Sequence, residues 1–171
     1  MRKNLVLTGM MGVGKSTIGR SIAKALSFTF VDIDKLIEKR EGCSISSIFK
    51  NRSEIYFRKI EKQISLEELE KKNSVISLGG GAFLDKSIRR NVKNLSISFW
   101  LDVDAQVLVK RLKKNKKRPL LFRKNLNETI NKIYLERKKT YGEADFRVKC
   151  TFLRPASVVK KILNLYEKKR D

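Results

Sequence analysis

The segment Gly9-Met10-Met11-Gly12-Val13-Gly14-Lys15-Ser16-Thr17 stands between a short apolar run, Leu5-Val6-Leu7, and a stretch whose apolar residues Ile18, Ile22, Ala25 and Leu26 recur at helical spacing. Strand, turn and helix in that order restrict this chain more than any other feature of it. The pattern is Gly, four residues, Gly, Lys, Ser, and glycines at those positions let a backbone curl with its N–H groups pointing inward onto phosphate oxygens. Lys15 then reaches the outer phosphates and the Ser16 hydroxyl is placed to ligate Mg²⁺. The following helix adds unpaired N–H groups and a dipole that favour negative charge at its N-terminus. Gly12, Val13, Gly14, Lys15, Ser16 and Thr17 are therefore the expected nucleotide contacts, with ATP and Mg²⁺ the expected donor. The alternative, a glycine-rich turn without a ligand, explains the glycines but not Lys15 and Ser16 beside them.

Further along, apolar β-type runs at Leu5-Leu7, Phe28-Ile33, Val75-Leu78, Ile97-Leu101 and Phe146-Val148 alternate with helical patterns. Helices are expected over Lys15 to Leu26, Asp34 to Glu41, Ile45 to Lys50, Glu54 to Lys71, Lys86 to Val92, Ala105 to Leu112, Glu128 to Lys139 and Ala156 to Lys168. Such alternation predicts an α/β fold with a five-stranded parallel sheet and helices on both faces. The 171 residues suit a single domain, 1–171, without repeats or linkers. One stretch, about 113–125, is polar and reads as a mobile lid.

Composition limits the chemistry. The formal net charge of +22 raises nucleic-acid binding, but Lys and Arg are scattered over every expected helix with no aromatic interleaving, so no dedicated nucleic-acid role is expected. Histidine is absent, which leaves proton transfer to Asp, Glu, Lys or a thiol. Cys43 and Cys150 are too far apart for a metal or redox motif and read as reduced thiols. No apolar stretch has the length of a signal h-region or a membrane span, and a cytoplasmic monomer is expected.

In sheets of this kind ligands gather beyond the C-terminal ends of the strands, so unusual residues there deserve weight. Asp32-Ile33-Asp34 closes the second run, and strand alternation sends both carboxylates to one face, where one can serve Mg²⁺ and another can accept a proton from an attacking hydroxyl. Capping of the next helix by Asp34 is the rival reading. Asp102 and Asp104 form a second acidic pair, read as structural. Arg58 shares a helical stripe with Glu54 and Glu61, which can hold its guanidinium toward a carboxylate or phosphate. Gly79-Gly80-Gly81 follows the third strand, where a permissive backbone signals close approach of another group. Arg137 shares a stripe with Ile130, Ile133, Tyr134 and Tyr141 and so projects inward, where a charge demands a partner. Arg118-Pro119-Leu120-Leu121 interrupts the basic run 113–117 and suits a segment closing over ATP.

These motifs, GMMGVGKST, DID, EIYFRKIE at Glu54 to Glu61, GGG, RPLL and the Arg137 helix, together resemble the shikimate kinases from end to end. The resemblance implies a three-layer P-loop NTPase fold, substrate-binding helices over about 34–61, and transfer of the ATP γ-phosphoryl group to the 3-hydroxyl of shikimate. By that analogy Asp34, Arg58, Arg137 and Gly79, Gly80 and Gly81 hold shikimate, with both arginines on its carboxylate. Asp34 is then the catalytic base, Ser16 and Asp32 serve Mg²⁺, and Lys15 with Arg118 neutralises the phosphates. Arg111, Arg154 and Pro155 resemble the positions around adenine. Two other readings stay open: a gluconate or nucleoside-monophosphate kinase of the same fold, and an ATP-switched nucleic-acid-binding protein.

Overall fold

The computed structural model describes residues 3–114 and 125–170. Five strands, β1 (Asn4–Thr8), β2 (Thr29–Asp32), β3 (Ser74–Ser77), β4 (Ser96–Asp102) and β5 (Phe146–Lys149), form one sheet in the order β2-β3-β1-β4-β5. Every pairing is parallel, with Val6 opposite Ile76 on one side and Ser98 on the other. All residues of β1, β3 and β4 are buried, as expected of strands covered on both faces. The chain passes from β1 outward to β2, returns to β3, and then crosses β1 to reach β4. Right-handed crossovers therefore place the helix between β1 and β2 and the helix between β3 and β4 on opposite faces.

The helices follow from their apolar spacing. In α1 (Lys15–Leu26), Ile18, Ile22, Ala23 and Leu26 form the buried stripe, and the helix packs on the sheet beside α8 (Pro155–Arg170). α5 (Lys86–Leu95) buries Ile88 and Val92 and is capped by Asp85, whose carboxylate accepts from the Ser87 and Ile88 amides. Between β2 and β3 run α2 (Ile33–Glu41), α3 (Ile45–Asn51) and α4 (Glu54–Glu70), mutually packed. Glu41 ties them together, accepting hydrogen bonds from Arg52 at 2.9 Å and from the Tyr56 hydroxyl at 2.9 Å. α6 (Ala105–Lys114) and α7 (Leu126–Tyr141) pack against each other. Among the described residues no helix is long and apolar enough to cross a membrane.

The expected elements are all present, with small boundary shifts. One shift matters chemically. β2 ends at Asp32, not at Ile33, and α2 begins at Ile33. Asp32 is the helix cap, accepting from the Lys35 amide at 3.3 Å, and Asp34 sits within the first turn. The expected strand alternation of the two aspartates and the capping role weighed for Asp34 are both corrected: the backbone turns helical between them, and the cap falls two residues earlier. The expected lid, about 113–125, lies almost entirely outside the described residues, and Arg118 with it.

Candidate active site

The loop after β1 needs its glycines. Gly9, Gly12 and Gly14 have φ of 134°, 80° and 98°, a region that side-chain-bearing residues rarely adopt. Gly14 is the N-cap of α1 and offers no side chain to the helix amides, which leaves those donors for an anion. Val13 is buried and anchors the loop, and the Leu112 side chain of α6 closes against Gly12. Lys15 Nζ donates to the carbonyls of Gly9 at 2.8 Å and Met10 at 3.0 Å, so its ammonium lies over the loop. Thr17 is exposed on the first turn of the helix.

Ser16 on the first turn of α1 and Asp32 at the end of β2 come together. The Ser16 hydroxyl donates to Asp32 Oδ2 at 2.5 Å. A hydroxyl and a carboxylate oxygen side by side are hard donors of the kind Mg²⁺ accepts, with water and phosphate oxygens completing its shell. Among the described residues no cluster of three or more acidic, His or Cys ligands exists.

The acceptor side is assembled around the three glycines. Each meets a different charged side chain. A Cβ on Gly79 would stand 2.8 Å from the Asp34 carboxylate and closer still to that of Glu61. One on Gly80 would lie 3.5 Å from Arg137 Nη1 and 3.6 Å from the Met11 amide of the phosphate loop. One on Gly81 would overlap the Arg58 guanidinium, with Nη2 at 2.8 Å. The close approach expected of this run is thus made by the substrate-site candidates themselves. It brings Asp34 of α2, Arg58 of α4, Arg137 of α7 and the phosphate loop around one turn.

Arg58 is held as its stripe predicts, donating to Glu61 Oε2 at 2.7 Å and to Glu54 Oε1 at 3.3 Å. Its guanidinium also lies over the Phe57 ring. Burial disfavours the charged form of Arg58, and the two carboxylates outweigh that to keep its affinity for a proton above the ordinary value. Glu61 is 2% exposed. Burial pushes its carboxyl above the usual range against the opposing pull of Arg58, and the Asp34 charge raises it further. The weight of Glu61 exceeds what its spacing suggested. It lies on the buried stripe of α4 with Phe57, Ile60 and Ile64, and a carboxylate on an apolar stripe was the available signal.

Arg137 finds its inward partner in the backbone: Nη1 donates to the Gly80 carbonyl at 2.9 Å. Asp102, read as structural, is buried and accepts two bonds from Arg147, at 2.9 and 2.7 Å, and one from Tyr134 at 3.0 Å. The adenine-side candidates Arg111, Arg154 and Pro155 are all exposed. Arg111 lies near enough to Cys150 for its charge to act on the thiol, so the end of α6 neighbours the loop that leads through Arg154 to Pro155.

The family model for shikimate kinase matches residues 11–167. The chain belongs to the shikimate kinase family. A shikimate kinase of Persephonella marina is 42% identical over 161 residues, covering 94% of this chain and 97% of the relative. The solved shikimate kinase of Acinetobacter baumannii, in complex with shikimate, superposes with a TM-score of 0.93 at 29% identity, covering 99% of this chain and 96% of that one. Membership makes the chain an ATP-dependent phosphotransferase. A gluconokinase of Sinorhizobium meliloti, at 17% identity and a TM-score of 0.59, shares the fold alone, over 99% of this chain and 95% of that one.

Proposed function

We propose that the chain transfers the γ-phosphoryl group of ATP to the 3-hydroxyl of shikimate, giving shikimate 3-phosphate and ADP, a step toward chorismate and the aromatic amino acids. One observation carries the assignment of residues: two guanidinium groups and the Asp34 carboxylate, on three separate helices, converge with Glu61 on a glycine turn that also touches the phosphate loop. Two forked cations suit a planar carboxylate. The carboxylate Asp34 suits hydroxyl groups.

In this reading Arg58 and Arg137 hold the shikimate carboxylate and Asp34 orients its hydroxyls. The 3-hydroxyl oxygen forms its bond to the γ-phosphorus as the bond to the β–γ bridging oxygen breaks, and its proton passes to the Asp34 carboxylate. Lys15 swings from the Gly9 and Met10 carbonyls to the β- and γ-phosphates, where Arg118 adds a second positive charge. These donors act where negative charge spreads over the transferring group. Ser16 and Asp32 would hold Mg²⁺, which supplies charge neutralisation to the phosphates when bound. Arg111, Arg154 and Pro155 bracket the adenine. Gly12, Val13, Gly14 and Thr17 line the phosphates.

A coupled ADP-release assay with shikimate, gluconate and nucleoside monophosphates as separate acceptors tests the proposal. Turnover with shikimate alone, abolished by EDTA and restored by Mg²⁺, is the expected result. Turnover with gluconate or a nucleoside monophosphate and none with shikimate overturns it.

A further inference from the structure

Two donors from α7 meet on a single carbonyl. Arg137 and Tyr141 lie four residues apart and so share one face of the helix. Arg137 Nη1 donates to the Gly80 oxygen at 2.9 Å, and the Tyr141 hydroxyl donates to the same atom. A carbonyl has two lone pairs, and here α7 takes both. Tyr141 is fully buried, with its ring tilted against Trp100 at a centroid distance of 5.9 Å. Trp100 in turn backs the phosphate loop, since a Cβ on Gly9 would stand 3.4 Å from its ring.

Packing does not require the hydroxyl. A phenylalanine would fill the same space against Trp100, whereas a buried hydroxyl costs free energy unless it is bonded. What the hydroxyl does is fix a peptide. A trans peptide is planar, so its carbonyl and the next amide point in opposite directions. Pinning the Gly80 oxygen to α7 therefore sends the Gly81 N–H away from α7. Among the described residues neither the Gly80 nor the Gly81 N–H has a hydrogen-bond acceptor. Both donors belong to a turn that the Ala82 N–H closes on the Gly79 carbonyl at 3.1 Å, and they lie among Asp34, Arg58 and Arg137.

We propose that Tyr141 is a positioning residue for acceptor binding: its hydroxyl holds the Gly80–Gly81 peptide with the Gly81 N–H available to the acceptor. It also keeps the Gly80 carbonyl satisfied, so that Arg137 can turn its guanidinium to the acceptor's carboxylate without stranding a buried oxygen. The inference rests on the proposed placement of shikimate between Arg58 and Arg137. Burial pushes the Tyr141 phenol above its ordinary range, which keeps it a neutral donor throughout the working pH range.

The test is Tyr141→Phe, which retains the ring and its contact with Trp100 and leaves Gly80 with its Arg137 donor. One lost hydrogen bond to a site donor predicts a rise of about fivefold to tenfold in the KM for shikimate. The KM for ATP and kcat should stay within about twofold, and the thermal midpoint within a few degrees. Trp100 is the only tryptophan, and a titration of its fluorescence with shikimate gives the same loss of affinity without turnover. An unchanged shikimate affinity overturns the inference. So does a loss of folding, or a parallel rise in both KM values with a large fall in thermal midpoint, because either marks a structural hydroxyl. Arg137→Ala, run alongside, separates this inference from the reading beneath it. If Arg137→Ala leaves shikimate affinity intact, the placement of the acceptor is wrong; if it is severe and Tyr141→Phe is silent, only the role of Tyr141 falls.

Discussion

The two halves of the site are built by different means. The donor half is a contiguous loop, Gly9 to Thr17, whose shape comes from positive φ at three glycines and from the helix that it opens. The acceptor half has no such local plan. Asp34, Arg58, Glu61 and Arg137 come from three helices and meet only because α2, α4 and α7 pack over the end of β3. A locally encoded site resists remote change but loses everything with its one cation. A site assembled by tertiary packing spreads its affinity over several groups, so single losses there should be graded. Substitutions that hit one half and spare the other test this difference directly.

The largest effect belongs to Lys15→Ala. Removing the ammonium that neutralises the transferring group should lower kcat by at least about 10²–10³-fold, as loss of a transition-state charge partner does elsewhere. Shikimate binding without nucleotide, followed by calorimetry, should not change. A weakened binary complex would mean that the halves are not separable. Next come Arg58→Ala and Arg137→Ala. Each truncates a charged partner of a carboxylate, worth about 2–4 kcal/mol, and should raise the shikimate KM by roughly 30- to 1,000-fold. The KM for ATP should stay within about twofold, measured by varying each substrate in turn.

Gly81→Ala is subtler. Its φ of −102° suits any residue, so the backbone accepts alanine. The new methyl, however, overlaps the Arg58 guanidinium, which must move. The expected result is a rise of about tenfold in shikimate KM, about 1.4 kcal/mol, with a native thermal midpoint. An unchanged KM would show that Arg58 is free to shift without cost, against the view of a pre-set acceptor half.

The same contrast governs how much the sequence discloses. The loop, the alternation of strands and helices and every helix are readable because apolar periodicity and the Gly-Lys-Ser spacing are local signals. Arg58 and its carboxylates are readable because i, i+4 and i+7 fall on one helical stripe. The roles of Asp32 and Asp34 depend on whether α2 starts at Ile33 or two residues later, which is finer than periodicity resolves. The Gly80 partnership with Arg137 and Tyr141 spans 57 and 61 residues of sequence. It exists only once β3 lies beside β1 and α7 crosses its end, and no spacing rule encodes that.

Glu61 yields the smallest effect and the one most specific to the acceptor half. Its carboxyl is held above the usual range because burial disfavours the charge. The sign follows from linkage. Between the ordinary carboxyl value near 4.5 and the raised folded value, the native state binds more protons than the unfolded one, so stability falls as pH rises through that window. Above that window the buried charge of Glu61 therefore costs stability while it holds Arg58. Glu61→Gln should remove that cost and leave Arg58 paired with Glu54 alone, at the more exposed end of its fork. Stability at pH 7 should change by no more than about 1 kcal/mol, in either direction, as transfer and hydrogen-bond terms offset one another. The shikimate KM should still rise about threefold to tenfold, because an arginine with one partner samples more orientations before it meets the carboxylate. Denaturant unfolding at pH 4.5 to 7 decides the point: relative to the parent chain, the Gln variant should gain stability steadily as pH rises. A pH-independent difference between the two would place the buried carboxylate outside the linkage that its surroundings impose.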